Sequence, residues 1–271
     1  MKLSLNDVAF ETTRRCNLVC HHCMRGPGQN MDMSPKFIDA FFERNDIEYI
    51  NHICFSGGEP TLNPEIITYT IEKIINEKKA VGSVSTVTNG QIFSKEIVDV
   101  FNRFNQYRNR QSIDEIPKKY QACSEDTIRK LIKDNTDNHA RITFSKDQYH
   151  KEVPSKIEEL YLRESQGLKI TSTPYLEQEK IYKTGNATFG RDFDYQLDQL
   201  RYYEEKDSYV VFDLLYLTAS GYITTEGMGT YQDMDQINTG HVSNVTIPEI
   251  LVDYGTPIFK TKKLTRDDIK R

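Results

Sequence analysis

The sequence is short of long hydrophobic runs, of cysteine and of positive charge. No segment approaches the roughly 18 consecutive apolar residues of a transmembrane helix, and Met1–Asp7 lacks the apolar run of a signal peptide. The five cysteines are odd in number, and three lie within residues 16–23, which argues against a disulfide framework. The net charge of −5 gives no basic surface for nucleic acid. We therefore expect a cytoplasmic chain with reduced thiols, without membrane or specific nucleic-acid partners.

What is present is an alternation of strand and helix signals. A chain of 271 residues suits one large domain, or one domain and a small appendage. Repeated strand–helix units predict parallel strands with right-handed crossovers. The strands are expected at Asp7–Thr12, Ile50–Phe55, Val81–Val87, Arg141–Phe144 and Leu168–Ser172, with helices starting near Pro35, Pro64, Ser94 and Pro154 between them.

The second half of the chain departs from this alternation. Residues from about 104 to 140 are polar and read as an insertion that contains Cys123. A helix is predicted over Arg191–Glu205, and a β-hairpin over Tyr209–Thr225 around Ala219-Ser220-Gly221. A last helix is expected at Ile247–Tyr254, followed from Lys260 by a charged, frayed tail.

The densest chemical signal is a C-x3-C-x2-C motif formed by Cys16, Cys20 and Cys23. Three thiolates can ligate three irons of a four-iron cluster and leave the fourth iron open, whereas clusters for electron transfer alone usually have four cysteines. Nearby Arg15 is expected to offset the negative charge of the thiolates. The same cysteines with His21 or His22 could instead form a structural zinc site. Cys54 lies in an apolar strand and reads as a buried core residue.

Polar and glycine-rich segments follow the next predicted strands. Ser56-Gly57-Gly58-Glu59-Pro60 comes after the second strand, and its glycines let the backbone turn sharply and approach a ligand. Thr88-Asn89-Gly90 follows the third strand and is by itself a common turn. Ser145–His150 follows the fourth strand, where Asp147, Tyr149 and His150 are candidates to face a substrate.

In this order and placement, the motifs resemble the radical S-adenosylmethionine (radical SAM) superfamily, with His22 at the position that is usually aromatic. The resemblance implies a [4Fe–4S] cluster on the three cysteines and SAM bound to the open iron. It places His22 near the adenine and the Gly-Gly-Glu-Pro segment around the SAM amino group. Gly185–Ala187 and Gly190–Arg191 resemble a family turn before the sixth strand. The implied cofactor-binding residues are His22, Ser56, Gly57, Gly58, Glu59, Pro60, Thr88, Asn89, Ser145 and Asp147.

The resemblance also implies an α/β fold, a partial (β/α)6 TIM-type barrel with a small C-terminal β-hairpin and helix. The barrel is expected over residues 1–217 and the extension over 218–271. The implied chemistry is oxygen-sensitive: the cluster, reduced by a donor such as flavodoxin or ferredoxin, cleaves SAM to a 5′-deoxyadenosyl radical. That radical abstracts hydrogen from an unactivated C–H bond, while the protein positions the substrate.

Residues 216–251 loosely resemble the SPASM or twitch extension of radical SAM enzymes that modify peptides and proteins. No cysteine follows Cys123, so a cysteine-held auxiliary cluster is excluded there. This extension favours a peptide or protein side chain as substrate, and a small metabolite or nucleotide is the alternative. A non-catalytic zinc or iron–sulfur binding module is the alternative of another class.

Overall fold

The computed structural model of the chain describes residues 1–110, 139–173, 176–177, 180–205 and 208–258. The strands there are β1 (Lys2–Thr13), β2 (Ile47–Gly57), β3 (Val81–Thr88), β4 (Ala140–Phe144), β5 (Lys169–Ser172), β6 (Leu200–Glu205), β7 (Ser208–Leu217), β8 (Tyr222–Thr224), β9 (Gly240–His241) and β10 (Gly255–Pro257). The helices are α1 (Pro35–Glu43), α2 (Pro64–Asn76), α3 (Lys95–Asn109), α4 (Ser155–Glu164), α5 (Tyr231–Gln236) and α6 (Ile247–Tyr254). Most of the predicted insertion, with Cys123, and the tail from 259 lie outside these residues.

These strands form one open sheet in the order β10-β6-β7-β1-β2-β3-β4-β5, with β8 and β9 continuing from β7. The strands from β7 through β1 to β5 are mutually parallel. Strands β6 and β8 pair with β7 in antiparallel fashion. The mixed, mostly parallel and open sheet confirms the predicted α/β class and the partial barrel.

Side chains of the parallel strands alternate between the helix layer and the barrel interior, as the two-residue strand period requires. Phe10 of β1 is fully buried and meets the ring of Phe41 in α1 edge-on at 5.3 Å. Ile53 in β2 and Val84 in β3 belong to the same core cluster. The core therefore lies between the sheet and its helices, which leaves the strand ends available for polar residues.

Several predicted elements are confirmed. The hairpin of β7 and β8 turns at Ala219-Ser220-Gly221, and α6 spans the predicted residues behind a capping box of Thr246 and Glu249. Helix α3 continues to Asn109 because Phe104, fully buried, packs in the core, so residue 104 is helical rather than the start of an insertion.

The predicted helix over Arg191–Glu205 is wrong. Residues 191–199 form no helix, and Leu200–Glu205 is strand β6. Strand β6 pairs with β7, and the Tyr202 ring packs against Tyr209 at 5.4 Å. Aromatic residues fit a half-buried pleated surface, and pairing with the strand that follows directly outweighs the local helical spacing.

No helix among the described residues is long and apolar enough to cross a membrane.

Candidate functional site

The motif residues meet where the parallel strands end, which is the usual location of sites in α/β barrels. Loops after β1, β2, β3 and β4 surround a cavity of about 290 Å³. The residues singled out from sequence that line it are Cys16, Cys20, Cys23, His22, Ser56, Gly57, Gly58, Glu59, Thr88, Asn89, Ser145 and His150. Pro60, Asp147 and Tyr149 are not among the lining residues and stand behind them.

The three cysteines of the β1 loop are free and half-buried. Burial, together with the neighbouring thiols Cys23 and Cys16, raises the pKa of Cys20 to about 11. Burial also raises the pKa of Cys16 above its ordinary value. The thiols are thus close enough to disfavour one another's thiolate forms, and a bound metal centre relieves this because it deprotonates the thiols that coordinate it. This donor set fits an iron–sulfur cluster.

The glycines after β2 allow two backbones to touch. Gly57 has φ +140°, and a Cβ there would stand 2.2 Å from the carbonyl oxygen of Thr13. A Cβ on Gly58 would lie 2.3 Å from the carbonyl oxygen of Arg15. The Gly58 amide donates to Thr13 at 2.7 Å, and that of Glu59 donates to Arg15 at 2.8 Å. The glycines therefore fix the loop after β2 against the start of the loop that carries the three cysteines, residues 14–26, which we call the cysteine loop.

Glu59 joins two of the motif loops. Its buried carboxylate accepts hydrogen bonds from the amide and hydroxyl of Thr61 at 3.1 and 2.7 Å. It also accepts from the Thr88 hydroxyl at 2.7 Å and the Asn89 amide at 2.8 Å. The Asn89 side chain in turn donates to Asn17 in the cysteine loop at 2.8 Å. These contacts make Glu59 a positioning residue.

A cluster of rings stands beside the cysteines. His22 packs against Tyr149 at 5.1 Å between ring centroids and meets the edge of His150 at 4.6 Å. The buried carboxylate of Asp147 lies 2.9 Å from His150 Nδ1. Burial, with His150 nearby, lowers the pKa of His22, and its buried Nδ1 has no hydrogen-bond partner among the described residues. One potential ligand atom each of His22, Asp147 and His150 lies within 4.8 Å of the others.

Sequence reasoning missed the far wall of the cavity. Gly227, Met228 and Tyr231 line it, and they belong to a stretch that we call the wall segment, residues 225–236. These residues come close to the cysteines only because the chain folds back next to the end of β7. No motif or periodicity in their own part of the sequence predicts this position.

Gly185-Asn186 reaches the cavity as well. The Asn186 amide donates to the Cys23 carbonyl at 2.8 Å, and its side chain donates to the Cys20 carbonyl at 3.2 Å. Gly185, at φ +62°, fits against the same backbone, because a Cβ would lie 2.4 Å from the Met24 carbonyl oxygen. Arg191 stacks instead on Tyr182, at 4.3 Å from the ring centroid.

The two arginines before Cys16 make contacts that the sequence analysis did not predict. Arg15, expected to offset the thiolates, pairs with Asp32 at 2.9 Å and donates to the Leu62 carbonyl at 2.5 Å. Arg14 has a fully buried side chain, donates to both Asp235 oxygens at 2.6 Å and pairs with Glu11 at 2.9 Å. Arg14 thereby links β1 to the wall segment.

Residues 10–145 match the Radical SAM superfamily model. Because this match covers half of the chain, the protein belongs to the radical SAM superfamily. It is a radical SAM enzyme, of a superfamily whose cofactors are a [4Fe–4S] cluster and SAM.

Two solved structures are similar to the chain. Native anSMEcpe with bound AdoMet and a Cp18Cys peptide is 12% identical, with a TM-score of 0.44 over 92% of this chain and 80% of that one. SuiB of Streptococcus suis bound to the precursor peptide SuiA is 13% identical, with a TM-score of 0.38 over 92% of this chain and 64% of that one. No curated protein matches the sequence.

Proposed function

We propose that this enzyme abstracts a hydrogen atom from an unactivated C–H bond of a peptide or protein side chain. The observation that carries the proposal is the shared cavity: three free cysteines face the same space as the glycine loop after β2 and the ends of β3 and β4. When bound, the cluster and SAM supply a one-electron reductive cleavage that yields the 5′-deoxyadenosyl radical.

In this proposal Cys16, Cys20 and Cys23 hold the cluster. The three thiols are free and line one cavity, and burial together with the neighbouring thiols Cys23 and Cys16 raises the pKa of Cys20. The Asn186 amide and side chain hold the Cys23 and Cys20 carbonyls, which keeps this loop in place before any metal binds.

The other motif residues form the proposed SAM site. Ser56, Gly57 and Gly58 line the cavity, and the two glycines let this loop pack directly on the backbone of Thr13 and Arg15. Glu59 shapes this loop through its bonds to the β3 end, and Pro60 starts the short turn behind it. The remaining proposed SAM residues are His22, Thr88, Asn89 and Ser145, which line the cavity, and Asp147, which does not line it and acts through His150.

Of the three residues considered for substrate contact, Asp147, Tyr149 and His150, it is His150 that lines the cavity. Asp147 accepts a hydrogen bond from Nδ1 of His150, which leaves Nε2 as the nitrogen that can contact a ligand. Tyr149 packs between His22 and Phe189, at 5.1 and 5.5 Å, and supports the His22 ring. We propose that Asp147 and Tyr149 position their neighbours and that His150 meets the substrate.

The peptide or protein substrate is supported by the C-terminal extension, proposed as residues 218–271 beside a barrel of 1–217. The wall segment of this extension lines the cavity, and residues 216–251 resemble the cluster-free form of an extension found in peptide-modifying members. A flavodoxin or ferredoxin is the proposed electron donor.

Anaerobic reconstitution tests the cofactor site. We expect about four irons and four sulfides per chain in the wild type, loss of the cluster in Cys16→Ala, Cys20→Ala and Cys23→Ala, and retention in the control Cys123→Ala. Dithionite and SAM should then yield 5′-deoxyadenosine. Stoichiometric zinc without labile sulfide, or no 5′-deoxyadenosine from the loaded protein, would contradict the proposal.

Isotope transfer tests the substrate. The first step is to search the neighbouring genes for a short peptide. Such a peptide, made in deuterated form, should pass deuterium into 5′-deoxyadenosine, and mass spectrometry should show the modified peptide. Transfer from a small metabolite or nucleotide, and none from peptides, would overturn the substrate class while leaving the radical chemistry intact.

A further inference from the structure

The cysteine loop is held at both of its ends by arginines that reach the same part of the chain. Arg14 stands two residues before Cys16, and Arg25 stands two residues after Cys23. Arg14 donates two hydrogen bonds to Asp235, and Arg25 donates hydrogen bonds to three other residues of the wall segment. The two ends of a metal-binding loop are thereby tied to a segment about 200 positions further along the chain.

Arg25 makes four contacts from one guanidinium. Its Nη1 donates to the Gly229 carbonyl at 2.9 Å and lies 3.1 Å from the Met234 sulfur, and Met234 is fully buried. Its Nη2 donates to the Tyr216 hydroxyl at 3.2 Å and to the Gly227 carbonyl. The guanidinium carbon also stands 5.1 Å from the centre of the Tyr216 ring. A planar group with several fixed donors suits such a site, and a lysine cannot reproduce it.

The two arginines differ in what balances their charge. Arg14 contacts two carboxylates directly, those of Glu11 and Asp235. The hydrogen-bond partners of Arg25 among the described residues are all neutral: two carbonyls, a thioether and a phenol. A guanidinium is always charged, and a charge held among neutral groups acts strongly on anions close to it.

Two acidic groups act on Arg25 through space: the carboxylate of Glu11, which Arg14 already pairs, and the thiol of Cys23 in the cysteine loop. Cys23 and Arg25 line the same cavity, and the Gly26 amide donates to the Cys23 carbonyl at 3.3 Å in the turn that joins them. Arg15, by contrast, is already paired with Asp32 and donates to a carbonyl. Arg25, on the C-terminal side of the loop, is therefore the candidate to offset the thiolates.

We infer that Arg25 is a positioning residue with two roles: it anchors the cysteine loop to the wall segment, and its charge stabilises the reduced state of the cluster. The first role concerns the metal-free chain alone. The second rests on the proposed function, because it needs the cluster on Cys16, Cys20 and Cys23. Net charge near a cluster is one of the determinants of its reduction potential, and removal of a cation disfavours added electrons.

The test compares Arg25→Gln, which removes the charge, with Arg25→Lys, which keeps the charge and loses the fork of donors. Arg44→Gln is the matched control, because Arg44 is exposed and donates to the Asn244 carbonyl at 3.2 Å, away from the cysteines. Amide hydrogen exchange is measured over residues 14–26 in the metal-free protein. We expect exchange to accelerate about tenfold or more in both Arg25 variants and to be unchanged in the control.

The second measurement is the midpoint potential of the reconstituted cluster, followed by electron paramagnetic resonance without SAM. Arg25→Gln should shift it to a more negative value, and Arg25→Lys should stay near the wild type. Unchanged exchange in Arg25→Lys would overturn the anchoring role, and this variant decides the point even if Arg25→Gln fails to fold. Equal potentials in all variants, or equal shifts in Gln and Lys, would overturn the electrostatic role. A wild type that assembles no cluster refutes the proposed function and with it the electrostatic role, while the exchange result still decides the anchoring role.

Discussion

Glu59→Gln is the substitution that most directly tests how the cavity is built. The Glu59 carboxylate is 1% exposed and accepts four hydrogen bonds, three at Oε1 and one at Oε2. Oε1 receives the amide and hydroxyl of Thr61 and the hydroxyl of Thr88, and Oε2 receives the amide of Asn89. Glutamine has nearly the same shape, but it replaces one oxygen with an NH2 donor and removes the negative charge.

The expected loss follows from these contacts. A hydrogen bond to a charged group contributes about 1.5–3 kcal/mol, against about 0.5–1.5 kcal/mol for a neutral one, so the bonds that remain at Oε1 weaken. If the new NH2 takes the place of Oε2, it faces the Asn89 amide, and that buried donor loses its acceptor at about 1–3 kcal/mol. Together these give a decrease of about 3 kcal/mol in the free energy of unfolding, a large share of the 5–15 kcal/mol typical of a domain.

Urea unfolding of the metal-free protein, followed by circular dichroism, measures this loss. The control is Glu65→Gln in the first turn of α2, where the side chain is exposed and the expected change is within about 0.5 kcal/mol. SAM affinity of the loaded protein should also fall, by about tenfold, because the weakened bonds hold the β2 and β3 loops together less firmly. A Glu59→Gln protein within about 1 kcal/mol of the wild type, with the same urea dependence, would refute the structural role assigned to this carboxylate.

Three further substitutions probe other contacts. Gly57→Ala should destabilise the fold by about 2 kcal/mol or more and abolish cluster assembly, because a Cβ would stand 2.2 Å from the Thr13 carbonyl oxygen at φ +140°; an iron assay and thermal melts check this, and a wild-type melt would contradict it. Burial raises the pKa of Asp235, but Arg14 outweighs it and lowers that pKa below its ordinary value, so this pair stabilises the protein above about pH 4 and the contribution is lost as pH falls below that value. Asp235→Asn should thus show a flatter loss of stability as the pH falls below about 4, and curves of equal slope would count against the pair. Thr246→Ala removes the capping box of α6 and should reduce stability by about 1 kcal/mol in urea unfolding, with no effect on iron content.

Much of the site could be predicted because its residues follow strand ends. Parallel strands of one sheet end at the same edge, so locating the strands before Cys16, Gly57, Thr88 and Ser145 was enough to bring these residues together. The individual bonds could not be predicted in this way. Glu59 was expected beside the SAM amino group, whereas in the fold its oxygens are taken by Thr61, Thr88 and Asn89, a choice that depends on how closely the loops approach.

The misassigned strand β6 and the wall segment have a common cause. Strand β6 pairs with β10 as well as with β7, and Gly255 of β10 stands opposite Leu200, 55 residues away, while Arg14 bonds to Asp235, 221 residues away. Local periodicity reports the preferences of a short segment, and it contains no information about a partner so far along the chain. Most of the polar insertion and the tail from residue 259 lie outside the described residues.

The position of β1 in the middle of the sheet has a consequence for how the chain folds. On one side Asn6 bonds to Asn51, 45 residues away, but on the other side it donates to the Phe212 carbonyl, 206 residues away. At about 5–20 residues per second, a ribosome takes roughly 10–40 seconds to deliver that second partner. Until then one edge of β1 remains open as a template for other strands. Docking of β7 is thus a non-local event that slows refolding, and the cysteine loop becomes anchored only after the wall segment has been synthesised.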